Sequence, residues 1–112
     1  MPFIECTTSR ALSAEVRERV KARFGQAVSA LKKPESYLMV GFREEELWFA
    51  GKRCEAGAYV SVSLFGRAAP ADYERMTALV CDILQQEAGI SPAQTYVTYH
   101  PVEDWGWNGA NF

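Results

Sequence analysis

The chain contains the run Tyr59-Val60-Ser61-Val62-Ser63-Leu64-Phe65, in which apolar and polar side chains alternate. A period of two is typical of a β-strand with one buried face. A short loop separates this run from Pro70–Ala88, where apolar residues recur at the three- and four-residue intervals of an amphipathic helix. Gly89 follows at a position that favours a helix end. Thr95–Tyr99 has the character of another strand, so this half of the chain predicts a β-α-β unit.

The first half of the chain has the same order of elements. Phe3–Thr7 predicts a short strand, and Ser13 is a suitable N-cap for an amphipathic helix of about five turns. Lys33-Pro34 ends that helix, because proline disfavours helical geometry in the residue before it. Tyr37–Phe42 is a nearly continuous apolar strand, which predicts burial on both of its faces. The β-α-β pattern is therefore used twice.

Two such units side by side predict one α+β domain over residues 1–112. Its mixed four-stranded sheet carries both helices on one face. Between the units, Leu47–Ala50 predicts a short strand that Gly51-Lys52-Arg53 ends. The second face of the sheet has no helix to cover it, so we expect another copy of the chain to do so. The aromatic, Gly-rich tail Trp105–Phe112 is expected to dock on that neighbour.

Composition excludes several classes of protein. The chain has 112 residues, of which 48% are hydrophobic, enough for one domain with a real core. The formal net charge of -2 gives no basic excess for nucleic acid or an anionic membrane. No apolar run approaches the roughly 20 residues of a membrane span, and no signal peptide is recognisable. These features predict a cytoplasmic protein.

The three cysteines, Cys6, Cys54 and Cys81, have no C-x-x-C spacing. Their odd number argues against a disulfide framework and against a structural zinc site. Cys6 and Cys81 are predicted to be buried thiols. His100 stands alone and is predicted to make a structural hydrogen bond. The sequence shows neither a phosphate-binding loop nor clustered metal ligands, so no metal and no cofactor are predicted.

Pro2 follows the initiator methionine directly. If Met1 is removed, the nitrogen of Pro2 is a secondary amine, which can act as a base or a nucleophile. Proline is common at this position, so the alternative is a residue without a chemical role. The rest of the site decides between the two.

Short matches to one known family are spread along nearly the whole chain. They are Met1-Pro2-Phe3, Lys33-Pro34, Tyr37, Leu64-Phe65-Gly66, Cys81, Ile90-Ser91-Pro92, Tyr96, Gly106-Trp107-Asn108 and Phe112. Together, in this order, they resemble the macrophage migration inhibitory factor family of the tautomerase superfamily. The resemblance implies a homotrimer in which three sheets enclose a central channel. It also implies an active site at each subunit boundary.

The activity that the resemblance implies is keto-enol tautomerisation of small aromatic α-keto acids such as phenylpyruvate, with dopachrome isomerisation as a side reaction. Pro2 would be the general base and then the general acid. Burial and a nearby cation both lower an amine's pKa and favour its neutral form. Lys33 would direct its ammonium at the substrate carboxylate or the developing enolate. The alternative for Lys33 is a solvated side chain that stabilises a helix end.

The resemblance assigns further residues to substrate binding. The backbone N–H of Phe65 would hold the carboxylate, and its side chain, larger than the usual Ile, would narrow the pocket. Tyr37 and Tyr96 would be aromatic walls, Tyr96 from the neighbouring subunit, or else core residues. Thr98 replaces the Asn of vertebrate members, which predicts a weaker preference for hydroxyphenylpyruvate. The pocket rim and trimer seam would be closed by Trp105, Trp107 and Phe112.

Two other functions stay open. One is a cytokine-like homologue with a vestigial pocket, which is secreted without a signal peptide and binds a receptor through its surface. The other is an unrelated ferredoxin-like domain that binds a small ligand or nucleic acid as a monomer or dimer. Thiol-disulfide chemistry is not predicted, because Gly57 and Val60 occupy the places of the family's C-x-x-C cysteines.

Overall fold

The computed structural model describes residues 1–112 and contains both β-α-β units. The strands are β1 (Pro2–Thr8), β2 (Met39–Glu44), β3 (Leu47–Phe49), β4 (Lys52–Cys54), β5 (Ala58–Phe65), β6 (Thr95–Val102), β7 (Gly106–Trp107) and β8 (Ala110–Asn111). The helices are α1 (Ala14–Ala27) and α2 (Pro70–Ala88), and short 3-10 turns occupy Val28–Leu31, Glu35–Tyr37 and Pro92–Gln94.

The four long strands form one mixed sheet in the order β2-β1-β5-β6. Each β-α-β unit contributes a parallel pair, β1 with β2 and β5 with β6. The two units meet at the antiparallel pair β1 and β5, where Ile4 lies opposite Val62. This confirms the predicted α+β architecture with its mixed four-stranded sheet.

The hydrophobic core lies between the helices and one face of the sheet. Alternate residues of the central strands, such as Ile4 and Val62, are fully buried there. Burial of each such side chain stabilises the fold by about 1.5–3 kcal/mol. Both helices add side chains to the same cluster, namely Val20, Phe24, Met76, Val80, Ile83 and Leu84. The opposite face of the sheet, called the open face below, carries Glu5, Tyr59, Ser61, Ser63, Tyr96, Thr98 and His100.

The helix boundaries follow from local chemistry. The hydroxyl of Ser13 accepts a hydrogen bond from the N–H of Val16 at 3.2 Å, which confirms the predicted N-cap. The last of the predicted turns of α1 is a 3-10 turn instead. Gly25, buried within α1, faces the side chain of Glu35, and a Cβ at Gly25 would collide with that carboxylate. Neither helix is long and apolar enough to span a membrane.

Tyr37–Phe42, predicted to be buried on both faces with another copy over the face without helices, has only one face covered within the single chain. β2 is an edge strand, and Met39 is 68% exposed on the face without helices. Val40 and Phe42 pack against the core from the other face. Tyr37 lies before the strand, in a 3-10 turn, and is exposed. A continuous apolar run could not distinguish burial within one chain from burial against a second.

Two hairpins went unpredicted. Lys52 and Arg53, expected to end a strand, lie in β4, which pairs with β3 around Ala50-Gly51. The second hairpin pairs β7 with β8 around Asn108-Gly109. The central residues of both turns have positive φ, which suits a tight hairpin. Asn-Gly is a strong hairpin signal, so the second hairpin could have been predicted.

The cysteines differ in their surroundings, although all three are free thiols. Cys6 is fully buried in the core, and this burial raises the pKa of its thiol to about 12. Cys81 is only partly buried, so the prediction of a buried thiol holds for Cys6 and is wrong for Cys81. The reason is that Cys81 lies beside the buried face of α2, next to Val80, and not in the centre of that face.

Candidate active site

A cleft of about 640 Å³ opens at the start of β1. The residues that line it are mostly apolar: Met1, Pro2, Phe3, Ser36, Tyr37, Leu38, Met39, Ser63, Val102, Trp105, Gly106 and Trp107. Pro2 is buried and pairs with Leu64 of β5. Four residues predicted from the sequence therefore meet in one cleft, namely Pro2, Tyr37, Trp105 and Trp107.

Lys33 and Phe65 meet the chain start beside this cleft. The N–H of Phe65 donates to the carbonyl oxygen of Met1 at 3.0 Å. The ammonium of Lys33 donates to the carbonyl oxygen of Phe65 at 2.8 Å and is partly buried. Gly66 turns the chain away from this point with a φ of 80°. The side chain of Lys33 thus reaches across to β5, instead of extending into solvent from its helix end.

The amino group at the chain start is held in an unusual electrostatic environment. Burial lowers the pKa of the Met1 amino group below its ordinary value of 8.0. The nearby Lys33 ammonium lowers this pKa further, because two positive charges repel one another. An amine at this end of β1 is therefore neutral at a lower pH than a free terminus.

Aromatic rings form one side of the cleft. Tyr37 and Trp107 meet edge to face, with ring centroids 5.7 Å apart. Trp107 stacks on Phe112 at 6.3 Å, and Phe112 packs against Phe65 at 5.5 Å. The tail, expected on a neighbouring subunit, thus makes these ring contacts within its own chain. The ring of Phe65 packs against Phe112, and Phe65 is not among the residues that line the cleft.

Tyr96 and Thr98 do not join this cleft within one chain. Both lie on β6, at the far edge of the sheet from β2. Tyr96 is 64% exposed and packs against Phe49, with ring centroids 5.7 Å apart. The hydroxyl of Thr98 contacts the hydroxyl of Tyr59 at 2.8 Å and Nε2 of His100 at 2.9 Å. The hydrogen bond predicted for His100 is thus present, on the open face.

Several residues of the cleft were not predicted from the sequence. Ser63 and Met39 flank Phe3 in the sheet, and Val102 ends β6 nearby. The only sequence signal for them is the strand register, which depends on pairing between distant segments. No group of three or more His, Cys, Asp or Glu side chains is placed to hold a metal ion.

Comparison with known proteins identifies the family. The family model of macrophage migration inhibitory factor (MIF) matches residues 1–112. The crystal structure of MIF2 from Leishmania major is 32% identical, with a TM-score of 0.93, and the match covers 100% of this chain and 97% of that chain. Macrophage migration inhibitory factor of Rattus norvegicus is 27% identical over 89 residues, 78% of this chain and 77% of that protein. The chain belongs to the macrophage migration inhibitory factor family.

A more distant structure shares the fold. It is that of a protein inactivated by 2-oxo-3-pentynoate, with a TM-score of 0.85 at 17% identity. The match covers 96% of this chain and 92% of that chain. At this level of identity, the likeness shows a common fold and no more.

Proposed function

We propose that the chain is a keto-enol tautomerase for small aromatic α-keto acids, with phenylpyruvate as the test substrate and dopachrome isomerisation as a side reaction. One observation carries this proposal: the chain of this family member begins inside a largely apolar cleft, with the Lys33 ammonium beside it. An aromatic keto acid needs an apolar surface for its ring, a cation for its carboxylate and a neutral base for its C–H.

Pro2 is the base in this proposal, once Met1 has been removed. Its secondary amine takes a proton from the carbon beside the ketone and becomes an ammonium. That ammonium then gives the proton to the enolate oxygen, so the enol forms, the neutral amine is regenerated and no atom is lost or gained. Burial and the Lys33 ammonium lower the pKa of the Met1 amino group, and we expect the same two effects on the Pro2 amine once Met1 is gone. This supports the role, since only a neutral amine can accept the proton.

The substrate carboxylate is assigned to Lys33 and to the N–H of Phe65. While Met1 is present, its carbonyl oxygen occupies that N–H at 3.0 Å. Removal of Met1 takes this acceptor away and leaves an N–H donor beside an ammonium. A backbone donor and a cation held in place by the fold suit a carboxylate or an enolate oxygen.

The functional unit is proposed to be a homotrimer. Tyr96 and Thr98 would then complete the cleft of a neighbouring subunit as an aromatic wall and a hydrogen-bonding group. The exposure of Met39 (68%) and Tyr96 (64%) on the face without helices supports an assembly in which a second copy covers them. Sedimentation or light scattering measures the oligomer, and a monomer at assay concentration would contradict this part of the proposal.

The first test alters only the chain start. Mass spectrometry establishes whether Met1 has been lost from the purified protein. The processed chain should turn over phenylpyruvate, and a chain with a cleavable N-terminal extension should be about 10²–10⁴-fold slower, because its Pro2 nitrogen is an amide. Cleavage of the extension back to Pro2 is the matched control and should restore activity.

The outcomes separate the candidate functions. Normal turnover by the extended chain would show that Pro2 is not the base. A processed chain with intact Pro2 and Lys33 that lacks tautomerase activity would contradict the enzyme and favour the cytokine-like alternative.

A covalent probe gives a second, independent test. The related structure described above is that of a protein inactivated by 2-oxo-3-pentynoate, which is itself an α-keto acid. In the processed chain, the amine of Pro2 is expected to add to the alkyne of this compound, with a proton moving to the neighbouring carbon. Peptide mapping should find the label on Pro2 alone, and the extended chain should remain unlabelled. Equal labelling of both chains would contradict the assignment.

A further inference from the structure

The C-terminal hairpin, residues Trp105–Phe112, contacts the rest of the chain through two pairs of aromatic rings. Its strands β7 and β8 have two residues each and pair only with one another. Trp107 and Phe112 remain 52% and 56% exposed. So small a hairpin buries little surface of its own, and contacts with the rest of the chain determine its position.

Two ring contacts attach this hairpin on opposite sides. Phe65 at the end of β5 packs against Phe112 with ring centroids 5.5 Å apart, and Tyr37 packs against Trp107 at 5.7 Å. Inside the hairpin, Trp107 and Phe112 stack at an interplanar angle of 11°. Four rings therefore form a continuous row from the end of β5 to the 3-10 turn before β2.

Phe65 links this row to the site through its backbone. Its N–H donates to the carbonyl oxygen of Met1, and its carbonyl oxygen accepts from Lys33. Its ring, by contrast, does not line the cleft, whereas Trp105 and Trp107 do. Within this chain, the ring of Phe65 therefore does not narrow the cleft. The ring instead joins the hairpin to the residue that touches both Met1 and Lys33.

We propose that Phe65 is a positioning residue whose ring fixes the C-terminal hairpin, and so the tryptophan wall of the cleft, relative to Lys33 and the chain start. The inference rests on the proposed tautomerase site for its effect on substrate. Phe112 transmits the contact, because its N–H donates to the carbonyl oxygen of Trp105 at 3.1 Å. Without the ring of Phe65, the wall loses one of its two aromatic ring contacts with the rest of the chain, while the backbone donors stay in place.

The first experiment measures the hairpin without any substrate. Phe65→Leu keeps the backbone contacts and removes the ring, whereas Phe65→Tyr keeps a ring. An aromatic pair contributes enough to change a local opening equilibrium by about three- to tenfold. Amide hydrogen exchange of residues 105–112 should speed up by this factor in Phe65→Leu and stay near wild type in Phe65→Tyr. Trp48→Leu, which removes an exposed ring on β3, is the control and should leave exchange of residues 105–112 unchanged.

The second experiment measures phenylpyruvate kinetics of the same processed variants. Phe65→Leu should raise KM by about three- to tenfold and change kcat by less than about twofold, because the wall binds ground state and transition state alike. Phe65→Tyr should keep the wild-type KM. Phe65→Leu combined with Phe112→Leu should raise KM no more than Phe112→Leu alone, because Phe112→Leu already removes the ring that Phe65 contacts, together with its stack on Trp107.

Three results would each overturn the assignment: unchanged exchange in Phe65→Leu, an equal effect of Phe65→Leu and Phe65→Tyr, or additive effects of Phe65→Leu and Phe112→Leu. A wild-type chain without phenylpyruvate turnover would contradict the proposed function instead. In that case the exchange experiment still decides whether the ring of Phe65 fixes the hairpin.

Discussion

Lys32 and Gly89 occupy the same place in the two β-α-β units, where each helix ends in the left-handed conformation with φ of 60° and 67°. The residues that follow them differ in character. Ile90 is fully buried in the core, whereas Lys33 carries its ammonium across to the carbonyl oxygen of Phe65. Both units thus have the same backbone conformation at the helix end, but only the first places a charged side chain after it.

The following turns differ in the same way. Glu35–Tyr37 and Pro92–Gln94 are both 3-10 turns that lead into the last strand of their unit. Tyr37 lines the cleft, while the side chain of Gln94 accepts a hydrogen bond from Cys54 at 3.0 Å. Only the turn of the first unit lies at the start of the chain, where the proposed Pro2 base would be.

The largest effect is expected from making the first unit resemble the second. Lys33→Ile gives it the residue that the second unit carries as Ile90. Loss of a charged hydrogen-bond donor to a carboxylate should lower kcat/KM for phenylpyruvate by about 10- to 100-fold. Lys32→Ala is the neighbouring control and should stay within about twofold of wild type. Steady-state kinetics of the processed chains measures both variants. Full activity of Lys33→Ile would show that the charge of the first unit has no role in turnover.

A second pair of changes tests whether the units contribute equally to the fold. Val20 of α1 and Val80 of α2 are both fully buried. Either change, Val20→Ala or Val80→Ala, should lower the free energy of unfolding by about 1.5–3 kcal/mol, and by similar amounts. Urea unfolding at one fixed protein concentration measures both. Clearly unequal losses would mean that one unit carries most of the core's stability.

Substitutions at the two helix ends should change the free energy of unfolding in opposite directions. Gly89→Ala places a Cβ in the left-handed region and should cost about 1 kcal/mol of unfolding free energy. Lys32→Gly relieves the same strain and should gain up to about 1 kcal/mol, because the exposed contact of Lys32 with Asp72 contributes little. Thermal or urea unfolding measures the two shifts. A loss in Lys32→Gly would show that this lysine has a stabilising role that outweighs its backbone strain.

The smallest effect is a shift in a pH profile. Lys33 lowers the pKa of the Met1 amino group, and we expect it to lower the pKa of the Pro2 amine in the processed chain, so Lys33→Ile should raise the pKa of that amine. A base is active only when it is neutral, above its pKa. The acid limb of kcat/KM should therefore move to higher pH. The shift should be partial, because burial, the larger cause, still lowers the pKa of the amine in Lys33→Ile. The limb should not move in Lys32→Ala, and a shift to lower pH in Lys33→Ile would place Lys33 away from the base.

Local patterns predicted the regular elements well. The bounds of α2, Pro70–Ala88, and the N-cap at Ser13 are confirmed, because caps and periodicity act within a few residues. The hairpin of β3 and β4 was missed because Lys52 and Arg53 are charged and exposed, so pairing leaves no hydrophobic signal. The second face of β2 is exposed in the single chain, and its predicted burial against another copy stays a prediction, because apolar composition does not say which surface a residue meets.

The sequence alone determined the duplicated β-α-β order, the mixed sheet and the position of Pro2 directly behind Met1, since these depend on periodicity and chain position. Only the tertiary structure decided that Lys33, Phe65 and the C-terminal hairpin lie around the chain start. The physical reason is that these contacts join segments far apart in the chain, and strand register and the path of the tail bring them together. The side-chain pattern within one segment therefore does not predict which distant segments it contacts.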